Sequence, residues 1–202
     1  MEYPKIETLF ERDEHFKVIP HKLRNPVYGT IKTWQFTEKI DGTNIRLIWK
    51  DGKLKFGGRT GNAQLPADLI QHLYEIVDIN RIKAVFPSTD VIIYGEGYGA
   101  GIQSGGYYSK TKEFIVFDVL VDSKWWLSWE NVCDVASKLQ LRTVPYIGEY
   151  TLEEGIIIAR KGFNSMLAVE SHMAEGIIGR PIETLYDKKF NRVIIKLKTK
   201  DF

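Results

Sequence analysis

Hydrophobic and polar residues alternate with a period of two along several segments of the chain, which is the pattern of β-strands with one buried face. In the last of these segments, Val193, Ile195 and Leu197 fall on one face, and Lys196 and Lys198 fall on the other. On this pattern, or on continuous short apolar runs, strands are predicted over residues 33–38, 45–49, 53–56, 91–96, 113–121, 174–178 and 193–199.

Helical spacing of apolar residues appears in fewer places. Residues 66–77 repeat leucine, isoleucine and valine at intervals of three and four, which predicts an amphipathic helix. Residues 128–139 predict a second helix, with Ser128 as its N-cap. Thr151 and Glu154 have the spacing of a capping box and predict the start of a third.

The remaining segments predict loops and define the fold class. Residues 1–30 mix charge with proline and predict loop with at most one short helix, and residues 97–108 predict a long glycine-rich loop. The chain has 202 residues and no internal repeat, so we expect a single domain over residues 1–202. The class is α+β, with mainly antiparallel sheets and flanking helices.

Composition narrows the functional classes. The net charge is only +2, so a nucleic-acid contact would have to come from a local basic patch. The single cysteine, Cys133, rules out a disulfide within the chain and suits a reducing compartment. The first residues lack the apolar run of a signal peptide, and no segment has membrane-spanning length. We therefore expect a cytoplasmic protein.

Lys39 is the first candidate for chemistry. It follows one strand-like segment and precedes Asp41-Gly42, a turn signal, so it is expected at a strand end. A lysine held there by rigid backbone suits a covalent nucleophile. A hairpin turn with one solvated lysine explains the same residues.

Three further residues are candidates for binding a phosphorylated ligand. Arg59 lies in a glycine-rich loop and could hold a phosphate, although a solvated loop arginine is the alternative. Glu96 ends an apolar strand and could bind ribose hydroxyls or a metal, unless it is only an exposed strand end. Glu175 precedes an apolar strand and is a candidate Mg²⁺ ligand. Glu154 has similar neighbours, but the capping box explains it.

Lys196 and Lys198 would project from one face of one strand, where they repel each other unless an anion neutralises them. A solvated outer face is the alternative. A lysine nucleophile, an arginine, two carboxylates and a lysine pair together describe a site for a nucleoside triphosphate. The amine would attack the α-phosphate, and nearby cations would neutralise charge in the transition state.

Six segments resemble, in their residues and in their order, the motifs of the covalent nucleotidyltransferase superfamily of ATP-dependent ligases and mRNA capping enzymes. Within this superfamily they are most similar to the RNA ligase 2 family. The segments are Lys39-Ile40-Asp41-Gly42-Thr43-Asn44, Gly58-Arg59-Thr60-Gly61, Tyr94-Gly95-Glu96, Phe114-Ile115-Val116-Phe117-Asp118-Val119, Glu175-Gly176 and Lys196-Leu197-Lys198. One departure is Arg180-Pro181, where the family usually has Lys-Pro. The resemblance implies the nucleotidyltransferase fold.

The resemblance also implies roles for individual residues. Lys39 would take the AMP, Glu96 would bind the ribose, and Phe117 would stack on adenine. Arg59 would contact a nucleic-acid phosphate or the AMP, and Glu175 would support the metal. The implied nucleotide-binding set is Lys39, Ile40, Asn44, Arg59, Glu96, Phe117, Glu175, Lys196 and Lys198, in which the last two lysines contact the α-phosphate.

The implied activity is that of an ATP-dependent RNA ligase with Mg²⁺ or Mn²⁺. It would join 5′-phosphate and 3′-hydroxyl ends of RNA, such as those of a nicked duplex, through a lysyl-AMP intermediate. Because the sequence stops four residues after Lys198, we expect no C-terminal OB-fold or helical accessory domain within it. A separate nucleic-acid-binding partner or an oligomer could supply that surface. The alternatives are a minimal ATP-dependent DNA ligase, a capping guanylyltransferase and a non-catalytic nucleic-acid-binding module.

Overall fold

The computed structural model describes all 202 residues and contains twelve β-strands and four α-helices. The strands are β1 (Glu7–Thr8), β2 (Phe10–Arg12), β3 (Val18–Leu23), β4 (Trp34–Glu38), β5 (Thr43–Lys50), β6 (Lys53–Gly57), β7 (Val91–Tyr98), β8 (Glu113–Val121), β9 (Trp125–Trp126), β10 (Tyr146–Tyr150), β11 (Gly176–Pro181) and β12 (Ile195–Lys198). The helices are α1 (Ala67–Ile76), α2 (Ile79–Val85), α3 (Trp129–Lys138) and α4 (Leu152–Lys161). None of these helices combines the length and the apolar character needed to cross a membrane.

The chain divides into two compact units, each made of two separate stretches of sequence. The first unit comprises Met1–Pro4 and Asp41–Val144, and the second comprises Lys5–Ile40 and Pro145–Phe202. Each unit has its own five-stranded sheet and its own hydrophobic core.

The first unit is built on an antiparallel sheet with the strand order β6-β5-β7-β8-β9. Its core lies on one face of this sheet, where Ile45 and Leu47 of β5 pack with Leu69 of α1 and Val132 of α3. Because side chains alternate along a strand, Asn44 projects from the opposite face. This opposite face therefore carries the polar residues of the same strands.

The second unit is built on a sheet with the order β1-β12-β11-β4-β10, and β2 and β3 form a separate two-stranded ladder. All pairings in this sheet are antiparallel except that of β1 with β12. Trp34 and Phe36 of β4 pack in the core with Ile195 and Leu197 of β12 and with Leu152 of α4. The alternation predicted for the last strand is confirmed, since its apolar face enters this core.

Most of the elements predicted from periodicity are confirmed. Helices α1, α3 and α4 begin within one residue of their expected starts. The Ser128 side chain accepts a hydrogen bond from the Asn131 N–H, and Thr151 and Glu154 form the capping box. The α+β class with mainly antiparallel sheets is also confirmed.

The prediction for residues 1–30 allowed one short helix, which is present, but the prediction of loop for the rest is wrong. This segment contains β1, β2, β3 and one turn of 3₁₀ helix over Pro26–Thr30. Strands of two and three residues are too short to show a periodic pattern, which explains the error. The short helix α2 and the strand β10 were also not predicted, and the strand expected at residues 174–178 lies at Gly176–Pro181.

Gly155 controls how closely α4 approaches β4, because a Cβ atom at this position would overlap the Phe36 ring. We expect Gly155→Ala to lower the free energy of unfolding by about 1 kcal/mol net. Overpacking costs about 1–3 kcal/mol, of which alanine recovers about 1 kcal/mol as the better helix former. Chemical denaturation measures the change. Ile157→Ala on the exposed side of the same helix is the control, and equal effects of the two substitutions would contradict the close packing.

Candidate active site

Lys39 lies one residue beyond β4, at the end of a strand that is paired on both sides. Its backbone N–H donates to the Gly176 carbonyl oxygen at 2.9 Å, so the main chain is still held by the sheet at this point. The predicted position at a strand end is therefore confirmed. The hairpin alternative is wrong, because β4 and β5 belong to different sheets.

Glu175 joins the candidate nucleophile to the last strand. Its Oε2 atom lies 2.5 Å from Lys39 Nζ, and its Oε1 atom lies 2.6 Å from Lys198 Nζ. All three side chains are mostly buried, with exposed fractions of 22%, 15% and 23% for Lys39, Glu175 and Lys198. One carboxylate therefore holds two ammonium groups in charge-assisted hydrogen bonds. The sequence did not predict this bridge.

Gly176 lets the strands that carry these groups come close together. In the register of the sheet Gly176 pairs with Lys198, and its carbonyl oxygen accepts the N–H of Lys39. Its φ is +154°, and a Cβ atom there would overlap the Leu197 carbonyl oxygen. The glycine after Glu175 is thus required for the close pairing of β11 with β12 that brings Glu175 to Lys198.

Lys196 lies on the same face of β12 as Lys198, as predicted. Burial lowers the pKa of the Lys196 ammonium, and the positive charges of Lys198, Lys39 and Lys5 lower it further, while Glu7 acts in the opposite direction. Lys196 has no ion-pair partner. This half-buried cation is therefore in an unfavourable field that a bound anion would relieve.

Glu38 is a buried carboxylate that sequence reasoning missed. It is 1% exposed and lies on the core side of β4, because it alternates with Lys39. It accepts hydrogen bonds from the Ser165 hydroxyl and from the Met166 N–H. Burial raises the pKa of Glu38, and these two hydrogen bonds partly oppose the shift. Glu38 thus fastens the loop after α4 to the strand that ends at Lys39.

Asn44 and Glu96 face each other across the β5–β7 ladder of the first unit. Cross-strand partners project from the same face of a sheet, and here that is the face opposite the core. The Asn44 Oδ1 atom is buried and has no hydrogen-bond partner in the protein. An unpartnered buried acceptor costs free energy, so this oxygen is suited to a ligand that brings a donor.

Phe117 occupies an irregular position in β8. Tyr94 pairs with Asp118 and Gly95 pairs with Val116, which leaves Phe117 as the extra residue of a β-bulge. Its ring contacts the Tyr3 ring edge to face, with 5.0 Å between centroids. The predicted stacking residue is therefore displaced from the regular ladder and half-buried.

Arg59 is exposed in a loop whose backbone is fastened by another arginine. The buried guanidinium of Arg46 donates to the carbonyl oxygens of Gly58 at 2.6 Å and Thr60 at 3.1 Å, on either side of Arg59. Sequence reasoning did not identify Arg46, although its position between the apolar residues of β5 was visible.

The predicted site residues thus form one group in each unit. The second unit brings together Lys39, Ile40, Glu175, Lys196 and Lys198. The first unit places Asn44 and Glu96 as neighbours, Phe117 in the bulge and Arg59 in its loop.

The positions of the acidic side chains decide how the expected divalent metal could be bound. No three His, Cys, Asp or Glu side chains form a cluster suited to a metal ion, and both oxygens of Glu175 are engaged by lysines. A Mg²⁺-like ion that is bound mainly by substrate phosphates and water would fit here with Glu175 as its one protein carboxylate once one of the two lysines has left that carboxylate.

Comparison with known families gives one match. A family model described as RNA ligase matches residues 32–198, which include every predicted site residue. No curated protein matches the chain.

Solved structures of Naegleria gruberi RNA ligase are similar in fold. A lysine mutant of that enzyme with ATP and Mn has a TM-score of 0.67 at 16% identity, and the alignment covers 99% of this chain and 64% of that one. The same enzyme with PPi gives 0.67 at 16% identity over 98% and 62%. An aspartate mutant in the apo form gives 0.66 at 17% over 98% and 57%. This chain therefore spans about three fifths of the length of those structures.

The repulsion at Lys196 is testable through stability. A lysine whose folded pKa lies below its ordinary value of 10.5 binds fewer protons when folded, so its contribution to stability improves as the pH rises through the folded pKa. We expect Lys196→Met to raise the free energy of unfolding at pH 7 and low salt by less than about 1 kcal/mol, because solvent screens a partly exposed charge. The gain should shrink as the pH approaches 10.5.

Denaturation of wild type and variant across this pH range measures the difference. Lys53→Met, at an exposed position on β6, is the control for removing a lysine from a strand. A Lys196→Met protein that is no more stable than the control variant at pH 7 would contradict the assigned repulsion.

Proposed function

The chain belongs to the RNA ligase family, and on that premise we propose that it is an ATP-dependent RNA ligase whose nucleophile is Lys39. The observation that carries this proposal is the bridge of Glu175 between Lys39 and Lys198. The bridge provides a nucleophilic amine, an adjacent proton acceptor and a cation for the attacked phosphate in one place.

The first step transfers AMP to the protein. The lone pair of Lys39 Nζ attacks the α-phosphorus of ATP and forms an N–P bond. The P–O bond to the β-phosphate breaks, and pyrophosphate leaves with the bonding electrons. Lys39 must also lose its proton, and Glu175 Oε2 at 2.5 Å is positioned to receive it.

Lys196 and Lys198 are proposed to bind the α-phosphate. Both project from one face of β12, and Lys196 has no carboxylate of its own. A phosphate here would relieve their mutual repulsion, and the cations would stabilise the negative charge that develops in the transition state. The same phosphate would compete with Glu175 for Lys198 and free the carboxylate to accept the proton.

The first unit is proposed to hold the nucleoside. Glu96 is assigned to the ribose hydroxyls, Phe117 to the adenine ring and Arg59 to a phosphate. The unpartnered Asn44 oxygen beside Glu96 supports a ligand with hydrogen-bond donors at this face. A Mg²⁺ or Mn²⁺ ion that binds with the nucleotide near Glu175 would neutralise phosphate charge.

The later steps join RNA ends. The AMP passes from Lys39 to a 5′-phosphate on RNA, which forms a P–O–P bond and breaks the N–P bond. A 3′-hydroxyl then attacks that phosphate, and AMP leaves as the strand is sealed. RNA with 5′-phosphate and 3′-hydroxyl ends is therefore the proposed substrate.

Covalent labelling tests the first step. Incubation with Mg²⁺ and α-labelled ATP should give a labelled protein band on a denaturing gel, and Lys39→Ala should abolish it because Lys39 is the proposed nucleophile. Lys53→Ala, on an exposed strand of the first unit, should label like the wild type. Absence of an adduct from folded wild-type protein that carries no bound AMP, or equal labelling of Lys39→Ala, would refute the proposal.

Removal of the proton acceptor should slow labelling without abolishing the nucleophile. We expect Glu175→Gln to reduce the rate of adduct formation by about 100-fold or more, which is the range of general base contributions. A rate within a few-fold of wild type would assign Glu175 to positioning only.

Nicked duplexes with an RNA or a DNA 3′ end, supplied to the labelled protein, then identify the strand that it joins.

A further inference from the structure

A basic cleft opens in the second unit between the N-terminal segment and β12. Its cavity volume is about 530 Å³. The wall on one side comes from residues 5–24, and the wall on the other comes from the last residues of the chain. Its cationic lining consists of Lys5, Arg12, Arg24, Lys196, Lys198 and Lys200.

Positive charge in the basic cleft exceeds negative charge. Against six cations stand three carboxylates, and two of these are already paired. Asp201 lies 2.6 Å from Arg12, and Glu7 lies 3.3 Å from Arg24. The third carboxylate, Asp13, accepts hydrogen bonds from backbone N–H groups of its own turn. The cleft is thus electrostatically suited to an anion.

Three of the cations have no ion-pair partner: Lys5, Lys196 and Lys200. Lys196 is half-buried, and like charges surround it. An uncompensated, partly buried ammonium group destabilises the fold, so its presence calls for an external anion. Lys198 lines the same cleft and also holds Glu175, the carboxylate that contacts Lys39, so one residue links the cleft to the candidate nucleophile.

An exposed aromatic ring lies at the edge of the basic cleft. Phe16 is 79% exposed, and its φ of +60° is unusual for a bulky residue. A turn maintains this conformation: the Phe16 N–H donates to the Asp13 carbonyl oxygen, and the Phe16 carbonyl oxygen accepts from Arg12 at 2.6 Å. The turn therefore presents a phenyl ring to solvent beside a row of cations.

We propose that the basic cleft binds single-stranded RNA, with backbone phosphates on Lys5 and Lys200 and a base stacked on Phe16. Cations that follow the backbone and aromatic rings that stack on bases are the two elements by which proteins hold single strands. A free polyphosphate would use the cations but would gain nothing from the ring. This inference rests on the proposed ligase function and deepens it, because the cleft would deliver an RNA end towards Lys39.

The short N-terminal strands β1, β2 and β3 would take part in RNA binding. β1 pairs with β12 in parallel, with Thr8 opposite Lys196, which places Lys5 and Glu7 beside the last strand. The β2–β3 ladder carries the turn that holds Phe16. These short strands form one wall of the RNA site.

The chain contains a matched control for Phe16. Phe190 has the same φ of +60°, is 88% exposed and lies three residues after Asp187 in a turn with the same backbone hydrogen bonds. It does not line the basic cleft. The two phenylalanines therefore have similar exposure and similar turns, but only Phe16 lines the basic cleft.

Binding of a fluorescent 5′-phosphorylated single-stranded oligoribonucleotide, followed by anisotropy, tests the stacking contact. We expect Phe16→Ala to weaken binding by about 5-fold or more, which corresponds to one base–aromatic stack, and Phe190→Ala to leave the Kd within two-fold of the wild type. Equal losses for both variants, or none for Phe16→Ala, would overturn the assignment.

The salt dependence of the same binding tests the cations. We expect the double variant Lys5→Ala/Lys200→Ala to reduce the slope of log K against log salt by about 1.4, because each phosphate contact with a single strand contributes about 0.7. Lys53→Ala/Lys55→Ala on β6 makes the same change in net charge at residues that do not line the cleft and should leave the slope unchanged. An equal reduction in both double variants would show a general charge effect and refute the site.

Competition with tripolyphosphate distinguishes the two sources of phosphate. Two results together would assign the cleft to a free polyphosphate and overturn the proposal. Tripolyphosphate at the same concentration as the oligoribonucleotide would displace it, and Phe16→Ala would bind the oligoribonucleotide as tightly as the wild type. All these measurements are made without ATP. A protein that binds RNA as expected but forms no lysyl-AMP would thus contradict only the proposed function, and the converse result would contradict only the RNA site.

Discussion

The contact of one carboxylate with two lysines is the constraint on which the candidate site depends. Lys39, Lys196 and Lys198 place three ammonium groups on one side of a single sheet, and Glu175 is the carboxylate that holds two of them. Lys196, the third ammonium group, is not paired with this carboxylate, and burial and the neighbouring lysines lower its pKa. The close strand pairing at Gly176 brings Glu175 to Lys198. A phosphate is an anion that would compensate the remaining positive charge.

The fold was predictable where an element was long enough to show its period. The nine residues of β8 and the ten-residue helices α1 and α3 were found within one residue of their starts, because burial of one face imposes a repeat that can be recognised. β1, with two residues, and α2, with seven, lie below that length. Their formation depends on partners distant in sequence, such as β12 for β1, and no local pattern encodes that pairing.

The sequence predicted which residues belong to the candidate site but not which of them contact each other. Motif resemblance and strand alternation identified Lys39, Glu175 and Lys198. The sequence does not give the register between strands, so it does not show that one carboxylate contacts both lysines. The same limit hid Glu38 and Arg46, since each is a charged residue on a strand whose burial is decided by the neighbouring strand or loop. Residues that are proposed to contact a ligand were thus easier to recognise than residues that hold the backbone beneath them.

Charge also suggests an order for the proposed events. Formation of lysyl-AMP converts Lys39 from a positive group to one that carries a negative phosphate, which would neutralise Lys196 and Lys198 from the side of the nucleotide. Lys5 and Lys200, which also line the basic cleft, would keep their charge for the phosphates of the RNA. The two lysines of β12 would therefore serve the nucleotide first, and Lys5, Lys200 and Phe16 would bind the RNA strand. A cleft whose cations are divided between two ligands in this way favours RNA binding next to an already adenylylated lysine.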